Sequence, residues 1–142
     1  MSIANVLLVD DETAFLETMN KRLTKRNFQV KTVDSGIAAL ETLSENGEHI
    51  EVVILDVQMP GMDGIETLTE IKRKYPLVEV IMLTGHATVA SAIEGMKQGA
   101  YDYLMKPCEM EILLTKVIEA ANKKRRHEQK IIEARMKEIT TF

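Results

Sequence analysis

Apolar positions along the chain follow two alternating rhythms. Residues 5–9 (Asn-Val-Leu-Leu-Val) and 52–55 (Val-Val-Ile-Leu) are short apolar runs that end directly in acidic side chains. Such runs read as strands buried on both faces. Further strands are read at 78–83 and 101–105, while 28–33 alternates with a period of two, as an edge strand with one wet face does. Between the strands the spacing becomes helical, at Leu16, Met19 and Leu23, then Ile37, Leu40 and Leu43, then Ile65, Leu68 and Ile71, then Val89, Ile93 and Met96. A fifth helical pattern starts near Glu109 with Ile112, Leu113, Val117, Ile118 and Ala121. Punctuation marks the boundaries. Lys21, Arg22, Lys25 and Arg26 gather where cations suit the first helix's dipole, and Asp34-Ser35-Gly36 can cap the second helix before Asn46-Gly47 ends it. The third helix stops before Pro76, and Gly99 follows the fourth.

Five strands alternating with five helices predict an α/β fold, a parallel sheet covered on both faces, because right-handed crossovers leave little else for such a pattern. Ligands of open parallel sheets sit beyond the carboxyl ends of the strands. The charged and hydroxyl residues fall there together: Asp10 and Asp11 end the first strand, Asp56 the third, Thr84 the fourth and Lys106 the fifth. Singly, each has an ordinary explanation. The two acids suit helix caps, Asp56 and Thr84 suit turns, and Lys106 suits a solvated surface. Together, three crowded carboxylates repel one another and demand counter-charge. Lys106 supplies one positive charge, and a hard divalent cation such as Mg²⁺, which takes oxygen ligands and keeps part of its water shell, is the natural source of the rest.

Composition narrows the classes. A chain of 142 residues with 45% hydrophobic content makes one domain with an ordinary core. No stretch has the length and apolarity of a membrane span or a signal peptide, so a cytoplasmic protein is expected. The single Cys108 excludes an internal disulfide and is read as a packing residue, and His49, His86 and His127 lack metal-ligand spacing. Charge is uneven: residues 1–122 carry 11 Lys+Arg against 19 Asp+Glu, and residues 123–142 carry 7 against 3. The expected organisation is a body over 1–122 and a basic helical extension or linker over 123–142. The run Lys123-Lys124-Arg125-Arg126 is read as a solvated helical face, and direct nucleic-acid binding by this domain is not expected.

These residues resemble a known set. Asp10-Asp11, Asp56 with Met59-Pro60-Gly61-Met62-Asp63-Gly64 after it, Thr84-Gly85, and Tyr103 with Lys106-Pro107 look like the motifs of a response-regulator receiver domain of bacterial two-component signalling. The likeness covers roughly residues 3–122 and leaves out the tail. It implies a flavodoxin-like doubly wound sheet of order 2-1-3-4-5, with the last helix extended. It implies a phosphorylation-dependent switch, not an enzyme acting on an external substrate. A sensor histidine kinase or phosphotransfer protein would pass a phosphoryl group to Asp56, with Mg²⁺ as cofactor. Asp11, Asp56 and the Gln58 backbone carbonyl would hold the ion, Asp10 acting through a bound water. Lys106 would contact a phosphoryl oxygen, and Thr84 and Tyr103 would form the switch pair. Gln58 and His86, two residues beyond Asp56 and Thr84, would tune the lifetime of the acyl phosphate. The Lys106-Pro107 bond would be cis.

Two rival classes fit less well. An aspartyl-phosphate hydrolase of the haloacid-dehalogenase type needs a second Asp two residues after the nucleophile, where this chain has Gln58. A receiver-like module that is never phosphorylated would be expected to lack some of the five site residues, and all are present. The tail carries Leu114, Val117, Ala121, Ile131, Ile132, Arg135 and Ile139 in a broken heptad with Lys124 and Glu128 at its seam. It is read as a dimer-forming linker, working with the fourth helix, fifth strand and fifth helix; a frayed solvated helix is the alternative. The resemblance implies that the switch controls an output domain or partner.

Overall fold

A computed structural model describes residues 2–47 and 49–140. The helical extension or linker expected over 123–142 falls, at Thr141 and Phe142, outside the described residues. Strands and helices alternate strictly: β1 (Asn5–Val9), α1 (Thr13–Lys25), β2 (Gln29–Val33), α2 (Gly36–Asn46), β3 (Val52–Leu55), α3 (Gly64–Lys74), β4 (Glu79–Thr84), α4 (Val89–Lys97), β5 (Asp102–Met105) and α5 (Met110–Thr140). The sheet has the order β2-β1-β3-β4-β5, and all four strand pairs are parallel. The alternation and parallel sheet are those the sequence pattern predicts, and the strand order is the one the resemblance implies.

The period of two along each strand sorts the core into two layers. Val6, Leu8, Ile54, Ile81 and Leu83 face α1 and α5, burying Leu16, Met19, Leu23, Leu113, Val117 and Ala121. Leu7, Val9, Val53, Leu55, Val80 and Met82 face the other way, onto Ala39 and Leu43 of α2 and Leu68 and Ile71 of α3. The β1, β3 and β4 interiors are buried on both faces, whereas β2 at the edge is exposed at Gln29, Lys31 and Thr32. Capping follows the side chains available. Ser35 accepts the Ala38 N–H at 3.1 Å, and Asp63 accepts the Glu66 N–H at 2.9 Å.

Helical spacing located the helices but not always their buried sides. Ile37 is exposed, and α2 packs through Gly36, Ala39 and Leu43 instead. In α4 the predicted stripe Val89, Ile93 and Met96 faces outward, Val89 being 78% exposed. The inward side of α4 is built from small residues, Ser91, Ala92 and Gly95. A side chain at Gly95 would stand 3.6 Å from Tyr103 and 3.7 Å from Ile65 and Met82, so this helix sits close to its neighbours through its small face. Ile112 and Ile118 are likewise exposed, while Leu113, Val117, Ala120 and Ala121 form the packed face of α5.

The α5 helix is 31 residues long, about 46 Å at about 1.5 Å per residue. Its basic run is only in part the solvated face expected: Arg125 and Arg126 are exposed, but the first three cations are paired. Lys124 is buried (3% exposed) and pairs with Glu128 at 3.1 Å. Lys123 pairs at 3.4 Å with Glu79, a carboxylate only 2% exposed at the start of β4 that Lys72 approaches from the other side at 3.6 Å. Arg125 grips Glu51 through two bonds of 2.6 and 2.9 Å and donates to the Ile3 carbonyl at 2.8 Å. Burial opposes ionisation of Glu51, but the bond from Arg125, the Asn5 N–H and the charges of Arg125 and Lys124 outweigh it and hold the carboxyl below its ordinary range. The first cations of the basic segment are therefore counter-ions that fix where the long helix leaves the body.

Candidate functional site

Because every strand runs the same way, residues just past the strand ends meet at one edge of the sheet. The backbone ladder continues there: the Asp10 N–H donates to Val33 O at 3.2 Å, Asp56 to Val9 O at 3.0 Å, and Lys106 to Thr84 O at 2.8 Å. Asp10, Asp56 and Thr84 are buried in this edge, and Asp11 stands exposed at its rim. The Asp10, Asp11 and Asp56 carboxylates each offer an oxygen such that all three lie within 4.8 Å of one another. An all-oxygen set of this charge is the donor chemistry of a hard divalent cation.

Asp56 is 1% exposed, and neither carboxylate oxygen has a hydrogen-bond partner among the described residues. A buried polar group left this way costs free energy, and among the described residues these two oxygens are the buried side-chain atoms without a partner. Asp10 is better supplied. It accepts the Glu12 N–H at 2.9 Å and the Lys106 ammonium at 2.5 Å. Burial pushes the Asp10 carboxyl up and the charge of Asp56 adds to this, with Lys106 and the Glu12 N–H pulling the other way. Burial also disfavours the Lys106 charge, but its bond to Asp10 and the charges of Asp10, Asp56 and Glu12 prevail and raise its pKa. The lysine is thus cationic and parked on Asp10.

Thr84 Oγ1 accepts the His86 N–H at 3.0 Å. Tyr103 is half-buried against the second core layer, and its hydroxyl lies 2.6 Å from Ser91 Oγ. Ser91 is itself part of the α4 cap: its N–H donates to Thr88 Oγ1 at 3.0 Å, and its Oγ accepts the Thr88 N–H at 3.2 Å. Gln58 and His86, both exposed, line an open groove of about 420 Å³ together with Asp11, Glu12, Met59 and Pro60. The Lys106-Pro107 peptide bond is cis. Glu12, Phe15 and Ser91 were not singled out in the sequence. The first two lie on the turn and helix just after the acidic pair, and Ser91 lies three residues after Thr88 in the pattern of a helix start, which is the only local signal that marked them.

Comparison with known proteins agrees with this geometry. The family model for the response regulator receiver domain matches residues 6–118. The chain is 43% identical over 111 residues to the response regulator protein FleR of Pseudomonas aeruginosa, covering 78% of this chain and 23% of that protein. It is 38% identical over 130 residues to a putative response regulator NtrX-like protein of Rickettsia conorii, covering 88% of this chain and 27% of that one. The chain thus spans about a quarter of the length of these curated relatives. Among solved structures, a response regulator receiver domain protein from Clostridium thermocellum superposes with a TM-score of 0.82 at 38% identity, over 86% of this chain and 97% of that one. A chain described as adenylate cyclase from Rhodopirellula baltica gives a TM-score of 0.86 at 27% identity, over 95% of this chain and 98% of that one. Among the described residues no helix is long and apolar enough to cross a membrane. With its acidic trio, Thr84 and Lys106 at one sheet edge and this family match over most of its length, the chain belongs to the response regulator receiver domain family, regulatory modules of two-component signalling.

Proposed function

We propose that Asp56 is the phosphoacceptor of this receiver, taking a phosphoryl group from the phosphohistidine of a sensor histidine kinase or phosphotransfer protein. The observation that carries this is the Asp56 carboxylate, buried beside two further acids with both oxygens unpartnered among the described residues. One Asp56 oxygen forms a bond to phosphorus while the phosphorus–nitrogen bond of the donor breaks. The electron pair stays on the imidazole nitrogen, which takes up a proton. Asp10, Asp11 and Asp56, with the Gln58 carbonyl, would hold Mg²⁺, whose charge offsets that of the phosphoryl oxygens. Lys106 stands within the same cluster and needs only to leave Asp10 to meet a phosphoryl oxygen. Gln58 and His86 border the groove through which water reaches the acyl phosphate, and neither is a carboxylate able to act as a strong base.

The switch follows from the new charge. A phosphoryl group brings nearly two negative charges and three acceptor oxygens, and the Thr84 hydroxyl at the same sheet edge is a neutral donor for one of them. If Thr84 turns toward it, the His86 N–H loses its acceptor, and Tyr103 can shift its hydroxyl only by giving up its bond to Ser91, a residue of the α4 cap. Incubation with acetyl phosphate and Mg²⁺ should add one phosphoryl group per chain, read by mass spectrometry. Decay of that adduct should change when Gln58 and His86 are both replaced by Ala; identical decay would remove them from the lifetime role.

The finer partner reading is a homodimer through α4, β5 and α5. Val89, Ile93, Met96, Met105 and Ile112 are exposed on these elements, and Ile131, Ile132, Met136 and Ile139 are exposed along the far half of α5. Apolar side chains repeated on one helix favour association. Sedimentation of the chain, with and without a beryllofluoride mimic, should show dimers that Ile131→Ser, Ile132→Ser and Ile139→Ser together weaken. Monomers in all four samples would end the dimer reading.

A further inference from the structure

Lys106 is held by three contacts of different kinds. Its ammonium donates to Asp10 at 2.5 Å, lies 3.5 Å from Glu12, and stands 3.9 Å from the centroid of the Phe15 ring. These contacts respond differently to a loaded site. Asp10 belongs to the carboxylate cluster, so a cation bound there competes with the lysine for its oxygens. Glu12 is 59% exposed, and an ion pair in that setting holds weakly. The ring differs from both. Its face attracts a cation through the quadrupole, binds no divalent ion in competition, and takes up no proton. Phe15 is also fixed in place, half-buried on α1 and packed against the core layer that includes Leu16 and Leu113.

We propose that Phe15 is a positioning residue for phosphoryl transfer, its ring face seating the Lys106 ammonium at the site while the acidic groups are engaged elsewhere. The proposal rests on the reading of Asp56 as phosphoacceptor and Lys106 as a ligand of the phosphoryl group. A lysine ends in a flexible four-carbon stem and a strongly hydrated charge, so an ammonium released from Asp10 has water to go to. A fixed ring beneath it leaves the ammonium a short move from Asp10 to the phosphoryl oxygens and keeps solvent from drawing it away. In the sequence Phe15 is an ordinary apolar position of α1, and only the folded chain shows what lies over its ring.

The test separates the π face from simple packing. Phe15→Leu keeps an apolar side chain and removes the ring, Phe15→Tyr keeps the ring, and a series of fluorinated phenylalanines at position 15 weakens the ring's electrostatics at nearly constant shape. Asp56 labelling is followed across acetyl phosphate concentrations at saturating Mg²⁺, and the Lys106 ε-methylene resonance is followed by NMR in the same proteins. Phe15→Leu should slow labelling about five- to tenfold. Mg²⁺ affinity should stay within about twofold, because the ring is not a ligand. Phe15→Tyr should recover most of the rate, and each added fluorine should lower it. The lysine resonance should be shifted upfield by the ring in the Phe and Tyr proteins and not in the Leu protein. Labelling that is indifferent to Leu, or a fluorine series with no trend, overturns the proposal. The fluorinated series decides the matter even if the Leu protein folds poorly. Should the unaltered chain itself take no label, the phosphoacceptor reading fails, and the lysine resonance still reports whether the ring seats the ammonium.

Discussion

Asp56→Asn should abolish phosphorylation and raise the melting temperature of the metal-free protein. The two effects share one cause. Asp56 is buried with no partner for either oxygen among the described residues, and its charge adds to the upward push on the neighbouring Asp10. Asn preserves the shape, removes the charge and supplies an N–H₂ donor to a site rich in carboxylate acceptors. A buried unsatisfied polar group costs about 1–3 kcal/mol, more when charged, so relief of that order is expected. For a chain of this size each kcal/mol moves the melting temperature by about 3 °C. In chelator, the Asn protein should therefore melt several degrees higher. Adding Mg²⁺ should close the gap, because an ion at about 100 times its dissociation constant stabilises the unaltered chain by about 2.7 kcal/mol and has one ligand fewer in the variant. Calorimetry with and without chelator, beside acetyl phosphate labelling, reads both effects. A variant that is still labelled would sink the site assignment. One that melts at the same temperature in chelator would mean that Asp56 is not under strain.

The fold was legible in the sequence because its signals are local and redundant. Runs such as 52–55, short, rich in β-branched residues and closed by turn signals, read as strands buried on both faces, and Pro, Gly and capping residues mark where helices start and stop. The positions of Asp10, Asp56, Thr84 and Lys106 followed from parallel topology alone, since strand ends of a parallel sheet share one edge. What stayed hidden depends on distance between elements. The apolar stripe of α4 has the spacing of a core face, yet the core side of that helix is Ser91, Ala92 and Gly95, small residues that carry no periodic hydrophobic signal. The run Lys123-Lys124-Arg125-Arg126 looks like a free basic face until Glu51 and Glu79, more than 40 residues away in sequence, are found beneath it. The contact of Lys106 with Phe15 joins residues 91 positions apart, and nothing in either neighbourhood announces it.

Gly64→Ala should slow phosphoryl transfer to Asp56 although Gly64 touches no reactant. Gly64 is buried at the start of α3, and its N–H donates to Val57 O at 2.7 Å, so the helix begins pressed against the strand end that carries Asp56. A β-carbon there would overlap the Asp56 carbonyl oxygen and lie 2.6 Å from Val57 Cα. Both obstacles are backbone, which no side-chain rotation can clear. Either α3 lifts away from the sheet, losing contacts around Leu68 and Ile71, or the Asp56–Val57 segment moves. Overpacking of this kind costs about 1–3 kcal/mol and sometimes more. A displacement near 1 Å at a reacting group can cost about 10²-fold in rate. The expected result is a folded protein with a lower melting temperature and acetyl phosphate labelling slowed by about 10²-fold, on the same argument of misplacement. Gly61→Ala is the matched control. It lies in the loop just before α3 at φ +76°, with nothing among the described residues within 4 Å of its missing β-carbon, so Ala there costs about 1–2 kcal/mol through the left-handed backbone alone and leaves Asp56 where it is. Thermal melts and labelling rates of the two variants should diverge, with similar losses of stability and a large loss of rate only at position 64. Equal labelling rates would show that the strand end tolerates the intrusion, and that close packing of α3 does not hold Asp56 in its reactive position.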